Sequence, residues 1–404
     1  YQQEEQELVL KSYISLKQLT FESSRISLIT NFSRAMTNHL SKSLTFTQMI
    51  NIVEMCSHLN KNTESRGISP NHLSNLSIIL YRLSFGLLEK RKHNQVKLLS
   101  IFGELNLPLP EKIKELMEQN PMAVTTQNGS KGVKSNVTGY FIDSANASDD
   151  QQGSSSLSFT GMFSEMLDVI HLGLAANIPV IFEGMPGQGK QTAINYMAKI
   201  LGYNVINIII SQATKVEDLL GKVTITRDEQ KNIHVDIIKT KLVKAFNSGA
   251  SSDSIIVFHN INNASPAVLE VLISIFDRNI ENVLLPNGSP VLKGHLNLIG
   301  IFNPQNGMFN RDRLPSSLIF SSLYHIVNNP KSSDVFKVIQ ELFQNTTFKD
   351  DARRFFENYE KTRRIAIENN AIPLTLNDIV KYILFRKHTY NKFDETTISQ
   401  MIFA

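Results

Sequence analysis

With one cysteine in 404 residues, Cys56, the chain has nothing to pair that thiol with internally. An internal disulfide framework is therefore excluded, and a reducing compartment is the expected setting. No run of about twenty apolar residues occurs, so no segment is expected to span a membrane. The first residues also lack the basic-then-apolar pattern of a secretory leader. Charge of one sign is scarce as well: 41 Lys and Arg stand against 37 Asp and Glu, a formal net charge of +4. The most basic stretch, Leu88 to Lys97, reads as a solvated helix face, and no direct nucleic-acid site is expected. These absences point to a soluble, intracellular protein. The polar helical start at Tyr1 and the helical end at Ala404 suggest an excerpt of a longer polypeptide.

The length is enough for two or three folded units. Residues 1–118 carry apolar positions at three- and four-residue spacing, as in Phe46 to Val53 and Leu76 to Leu83, and predict an all-α segment. Residues 119–156 turn rich in Ser, Asn, Gln, Gly and Asp, with little to bury, and predict a flexible linker. From residue 157 apolar strands alternate with helices, predicting right-handed βαβ crossovers and a mainly parallel sheet over 157–331. Strands are expected at 178–183, 204–210, 254–259 and 296–302, and a hairpin around Asn287-Gly288. Residues 332–404 return to a helical pattern, with Phe336, Val338, Ile339, Leu342 and Phe343 on one stripe.

The most informative stretch is Gly184-Met185-Pro186-Gly187-Gln188-Gly189-Lys190-Gln191-Thr192. A phosphate-cradling loop of the form G-x-x-x-x-G-K-[ST] needs glycines so that backbone N–H groups turn inward, and a lysine to reach the outer phosphates. It also needs a hydroxyl to hold the metal. Its context is right, since the run 178–183 precedes it as a strand and residues 189–201 follow as a helix whose N-terminus faces the anion. Gly184, Pro186, Gly187, Gln188, Gly189, Lys190, Gln191 and Thr192 are the candidate nucleotide-binding residues. Gln191 stands where the hydroxyl belongs, with Thr192 next to it.

A second strand, Ser254 to His259, should end in the acidic pair that serves the metal and orients the attacking water, yet His259 and Asn260 stand there. The run Asn260-Ile261-Asn262-Asn263-Ala264-Ser265-Pro266-Ala267-Val268-Leu269-Glu270 resembles a stretch of the dynein-related AAA+ ATPases, most closely their midasin-type branch. Phe302-Asn303-Pro304 is similar to that family's strand ending in a sensor asparagine. Leu314-Pro315 and Val216 to Gly221 match two further elements, and mysterin-type AAA+ proteins share the general pattern. The resemblance covers about 158–404 as one module, with a weaker echo of a preceding module's lid at Leu44 to Ile50.

The resemblance implies a P-loop AAA+ core of parallel sheet and helices, a C-terminal helical lid, and ATP or ADP as ligand. It leaves the need for Mg²⁺ open. His259, Asn260 and Asn303 occupy its catalytic positions. Ser321-Ser322-Leu323 stands where its arginine finger belongs, Asn377 where its lid arginine belongs, and Arg311 and Arg313 read equally as finger candidates or solvated loop residues. A module with weak or no hydrolysis is expected. The alternative is a working Mg²⁺-ATPase in which Thr192 with Asp253 or Glu270 takes over. Implied partners are neighbouring AAA+ modules of the same longer chain and a protein or ribonucleoprotein substrate. The setting is nuclear for a midasin-type parent and cytoplasmic otherwise.

Overall fold

The computed structural model describes residues 3–19, 21–22, 25–41, 44–64, 76–81, 92–107, 122–127, 130–136, 141–144, 146–147, 159–227, 233–247, 253–294, 296–304, 314–327, 329–344, 352–368 and 375–389. The chain begins with helices α1 (Gln3–Leu16), α2 (Ile26–Leu40), α3 (Phe46–Glu64) and α4 (Lys92–Glu104), with residues 76–81 also helical. Their apolar stripes bury Leu10, Ile29, Phe32, Met36, Met49 and Val53 together, and Phe32 meets Phe102 edge-on at 5.3 Å between ring centroids. At the start of α3, Thr45 N donates to Gln48 Oε1 at 2.8 Å and Gln48 N to Thr45 Oγ1 at 3.3 Å. This reciprocal cap satisfies two of the free N–H groups at a helix start.

The linker expected over 119–156 is corrected in its described part. Met122–Gln127 (β1), Ser130–Ser135 (β2) and Phe141–Asp143 (β3) form an antiparallel sheet in the order β1-β2-β3. The strands dock on α5 (Gly161–Ala175) through polar groups: Ser135 Oγ donates to the buried Asp168 carboxylate at 3.2 Å, and His171 Nε2 to the Val133 carbonyl at 3.2 Å. Met122, Val133 and Phe141 are buried, so a few well-placed apolar side chains together with these hydrogen bonds order the segment, which its overall polar composition does not register.

The α/β part follows as β4 (Val180–Glu183), α6 (Lys190–Leu201), β5 (Asn204–Ile209), α7 (Val216–Leu220), the hairpin β6 (Lys222–Arg227) and β7 (Ile233–Ile238), then α8 (Lys241–Asn247) and β8 (Ser254–His259). It continues with α9 (Pro266–Phe276), the hairpin β9 (Asn282–Leu284) and β10 (Pro290–Leu292), β11 (Asn297–Phe302), α10 (Ser316–Phe320) and β12 (Leu323–Ile326). Pro266 opens α9 at its first position, where a missing N–H costs nothing. Gly288, at φ +80, turns the second hairpin in the left-handed region, as its Asn-Gly signal predicts.

Five strands form one parallel sheet in the order β12-β4-β11-β8-β5. One face, including Val180, Phe182, Val257 and Ile299, packs under α5 and α6 and is continuous with the N-terminal helical core. The other, including Ile181, Phe258, Leu298 and Phe302, packs on α8, α9 and α10. Buried on both faces, such strands read as near-continuous apolar runs.

A polar contact also joins the N-terminal helices to the core. Arg278, just beyond α9, pairs with Glu54 of α3, which also accepts from the Tyr13 hydroxyl. Arg278 donates to Asn51 Oδ1 at 3.1 Å, and Asn51 Nδ2 to the Phe320 carbonyl at 2.8 Å. The chain ends its described part in a lid of α11 (Ser332–Gln344), α12 (Ala352–Glu368) and α13 (Leu376–Thr389), with its own core around Val335, Ile339, Phe343, Tyr359 and Tyr382. Thr375 and Asp378 cap α13 with the same reciprocal pattern as Thr45 and Gln48, at 2.9 and 3.4 Å.

Candidate functional site

Open parallel sheets bind ligands beyond the carboxyl ends of their strands, where connections leave in opposite directions. Strand β4 lies between β12 and β11, and residues 184–189 leave its carboxyl end to enter α6. Gly187 and Gly189 have φ of +77 and +80, so the loop uses glycine where a side chain would be strained. Gly189 is the residue before α6, which has no side-chain cap, and its first N–H groups are left to an incoming anion.

Around this loop lies a cleft of about 540 Å³, within the range of small-ligand sites. Pro186, Gly187, Gln188, Gly189, Lys190, Gln191 and Thr192 line it, as do His259, Asn260 and Asn303 from the ends of β8 and β11. Gly184 does not line it; its carbonyl accepts from Lys190 Nζ at 2.6 Å, and that of Met185 at 2.8 Å. Burial pulls the Lys190 ammonium down from 10.5 to about 8. The lid closes one side: a Cβ on Gly187 would stand 2.7 Å from Thr375 Oγ1 and 3.4 Å from Asn377 Cβ.

At the phosphate end, Asn207 of β5 binds the substituted positions together. Its Oδ1 accepts from His259 Nε2 at 2.8 Å and from Gln191 Nε2 at 3.4 Å, while Gln191 Nε2 also donates to Asn195 Oδ1 at 2.8 Å. Burial lowers the His259 pKa below its usual value, favouring the neutral ring, and the bond to Asn207 places its hydrogen on Nε2. Asn260 sits at φ +56 in the left-handed region, which asparagine tolerates better than glutamate. Asn262 Nδ2 donates to the Asn303 carbonyl at 3.2 Å, fixing the end of β11.

The metal that P-loop sites use does not fit this donor set. Gln191 Oε1, buried and without a hydrogen-bond partner among the described residues, is a lone neutral oxygen. Asp253 stands at the opposite end of β8 from His259, about 20 Å away at the rise of an extended strand. Glu270 is exposed on α9 and does not line the cleft. Hard Mg²⁺ prefers carboxylates and keeps strict octahedral geometry. Ser322 is buried and donates to the Leu318 carbonyl at 2.7 Å, and Arg311 and Arg313 lie outside the described residues.

Reading the sequence by motif missed Asn207, and with it Val338, Glu341, Leu342 and Val380, all but Asn207 being on the cleft wall. Asn207 left one signal, an amide breaking an apolar strand.

Sheet order, glycine loop, helix and lid together define a P-loop AAA+ module. The profile of the family described as AAA domain (dynein-related subfamily) matches residues 179–319. A midasin of Giardia intestinalis is 31% identical over 169 residues, 41% of this chain and 3% of that protein. Among solved structures, the crystal structure of a putative ATPase from Cytophaga hutchinsonii is similar at 15% identity and a TM-score of 0.32, over 62% of this chain and 79% of that one. Residues 179–319 thus carry a dynein-related AAA domain, and the module is of the midasin-like kind.

Proposed function

We propose that the module binds ATP or ADP as a structural ligand, nearly independently of Mg²⁺, and hydrolyses ATP weakly or not at all. The observation that carries this is the bridge from Gln191 through Asn207 to His259, which sets two amides and a neutral imidazole where a metal site has a hydroxyl and a carboxylate. Loop N–H groups, the α6 N-terminus and the Lys190 ammonium suffice to hold phosphate. Nothing at the end of β8 orients water as a carboxylate would, because His259 is neutral and tethered and Asn260 is an amide. The Mg²⁺-ATPase alternative gains no support from Asp253 or Glu270, neither of which lines the cleft.

Bound nucleotide would bridge the α/β core to the lid, since Thr375 and Asn377 stand against Gly187. Its binding free energy would then stabilise one angle between them. The module's immediate partners would be sister AAA+ modules of a longer chain, with 1–118 as the lid of the module before. Remodelling of protein or ribonucleoprotein assemblies, such as pre-ribosomes in the nucleus, is assigned to the parent by fold-level analogy to midasin. Calorimetric titration of ATP and ADP, with and without a chelator, tests the reading. Lys190→Ala should abolish binding, and the chelator should cost less than tenfold, about 1.4 kcal/mol. Metal-dependent turnover by the unmodified chain that disappears in Lys190→Ala would overturn it.

A further inference from the structure

The cleft has a wall that phosphate chemistry leaves unused. Met162 and Phe163 of α5, Val338 and Leu342 of α11 and Val380 of α13 form its apolar lining, and Phe163 reaches the edge of the phosphate loop, 3.9 Å from where a Cβ on Gly189 would stand. Among the described residues a single carboxylate lines the cleft, that of Glu341, and it has no hydrogen-bond or ion-pair partner among them. Val338, Glu341 and Leu342 are spaced to share one face of α11. Lys337 Nζ donates to the Phe159 carbonyl at 2.9 Å, which fixes the turn before Glu341 against the segment leading into Met162 and Phe163. The lid residues beside Gly187, Thr375 and Asn377, belong to the start of α13 instead. Glu341 lies on the α11 wall of the cleft, one turn beyond the Lys337 contact with Phe159.

A nucleobase has apolar faces and a polar edge, and an ionised carboxylate only accepts hydrogen bonds. With the faces held between Phe163 and Leu342, the edge donor available to Glu341 on adenine is the 6-amino group. Resting on the nucleotide reading above, we propose that Glu341 accepts from the adenine 6-amino group and is the residue that determines base specificity in this cleft. The bond is charge-assisted but half open to water, so a preference of about fivefold to tenfold is expected rather than the hundredfold of a fully buried pair.

The probe is purine riboside 5′-triphosphate, which carries hydrogen in place of the amino group. Calorimetry on the full chain should show ATP bound about fivefold to tenfold tighter than this analogue. Glu341→Ala should reduce the preference below twofold by weakening ATP alone, and Glu341→Gln, which keeps an accepting oxygen, should retain part of it. An undiminished preference in Glu341→Ala would overturn the proposal. So would a variant that loses discrimination only against 2′-deoxy-ATP, because Glu341 would then read the ribose. Equal binding of both triphosphates by the wild type would overturn the role of Glu341 alone, whereas no binding of either would overturn the nucleotide reading itself.

Discussion

Lys190 makes nucleotide affinity depend on pH in a window where few groups titrate. Its ammonium is held by the carbonyls of Gly184 and Met185 and is mostly cut off from water, and burial lowers it from 10.5 to about 8. Nucleotide phosphates favour the charged form, so the bound state keeps the proton to higher pH than the free protein does. At pH 7 about nine-tenths of the free protein carries the charge, and at pH 9 about one-tenth does. The dissociation constant should therefore weaken about tenfold from pH 7 to pH 9, or about 1.4 kcal/mol. The terminal phosphate, whose second ionisation lies around 6, contributes little across this range. Titrations of ADP in chelator, repeated in two buffers of different ionisation enthalpy, should also show uptake of about half a proton per nucleotide at pH 8. A dissociation constant flat from pH 7 to pH 9, with no proton uptake, would refute the reasoning and place the ammonium outside the phosphate site.

The triple change Gln191→Thr, His259→Asp and Asn260→Glu should restore metal-dependent binding, with only partial turnover because Ser322 and Asn377 still lack charge; a finger alone is worth about 10³ to 10⁵ in rate. The glutamate at Asn260, φ +56, should cost about 1–2 kcal/mol of stability in urea titration, and no loss would count against the left-handed turn. Gly187→Ala should cost a similar amount and weaken nucleotide binding, since its Cβ would stand 2.7 Å from Thr375 Oγ1; unchanged stability and affinity would separate the lid from the loop. Arg278→Ala should destabilise the chain by about 1–3 kcal/mol, and the double variant with Glu54→Ala should lose less than the sum, because the two share one contact. His171 is buried, with its pKa lowered below 6.5 by desolvation, so the unfolded chain binds a proton first as pH falls through 6.5. Stability should decline below that pH, and His171→Gln should flatten the decline.

Local order along the chain was legible without the structure. A strand, glycine loop and helix follow one another within 25 residues, so 178–201 announced the phosphate site, and the observed β4 and α6 fall inside that span. The Asn-Gly hairpin and the helical stripe through Phe336, Ile339 and Phe343 were equally readable, because each is fixed by neighbours in sequence. The losses at Gln191, His259 and Asn260 were visible as letters. What fills the place of those lost groups was not: Asn207 reaches Gln191 and His259 only because β5 lies beside β8 in the sheet, a pairing between strands some 50 residues apart. The same holds for residues 122–143, whose polar composition looks unfoldable until α5 offers Asp168 and His171 as docking points. Asp253 looked near enough in sequence to replace a lost carboxylate, but an extended strand carries its two ends far apart. Glu341 gave no signal, since a glutamate on an amphipathic helix is ordinary until the lid folds over and puts it in the cleft. Sequence by itself determined the strand, loop and helix of the phosphate site and which chemistry is missing there. The sheet order and lid closure, which bring together residues that chain proximity never joins, decided which side chains meet.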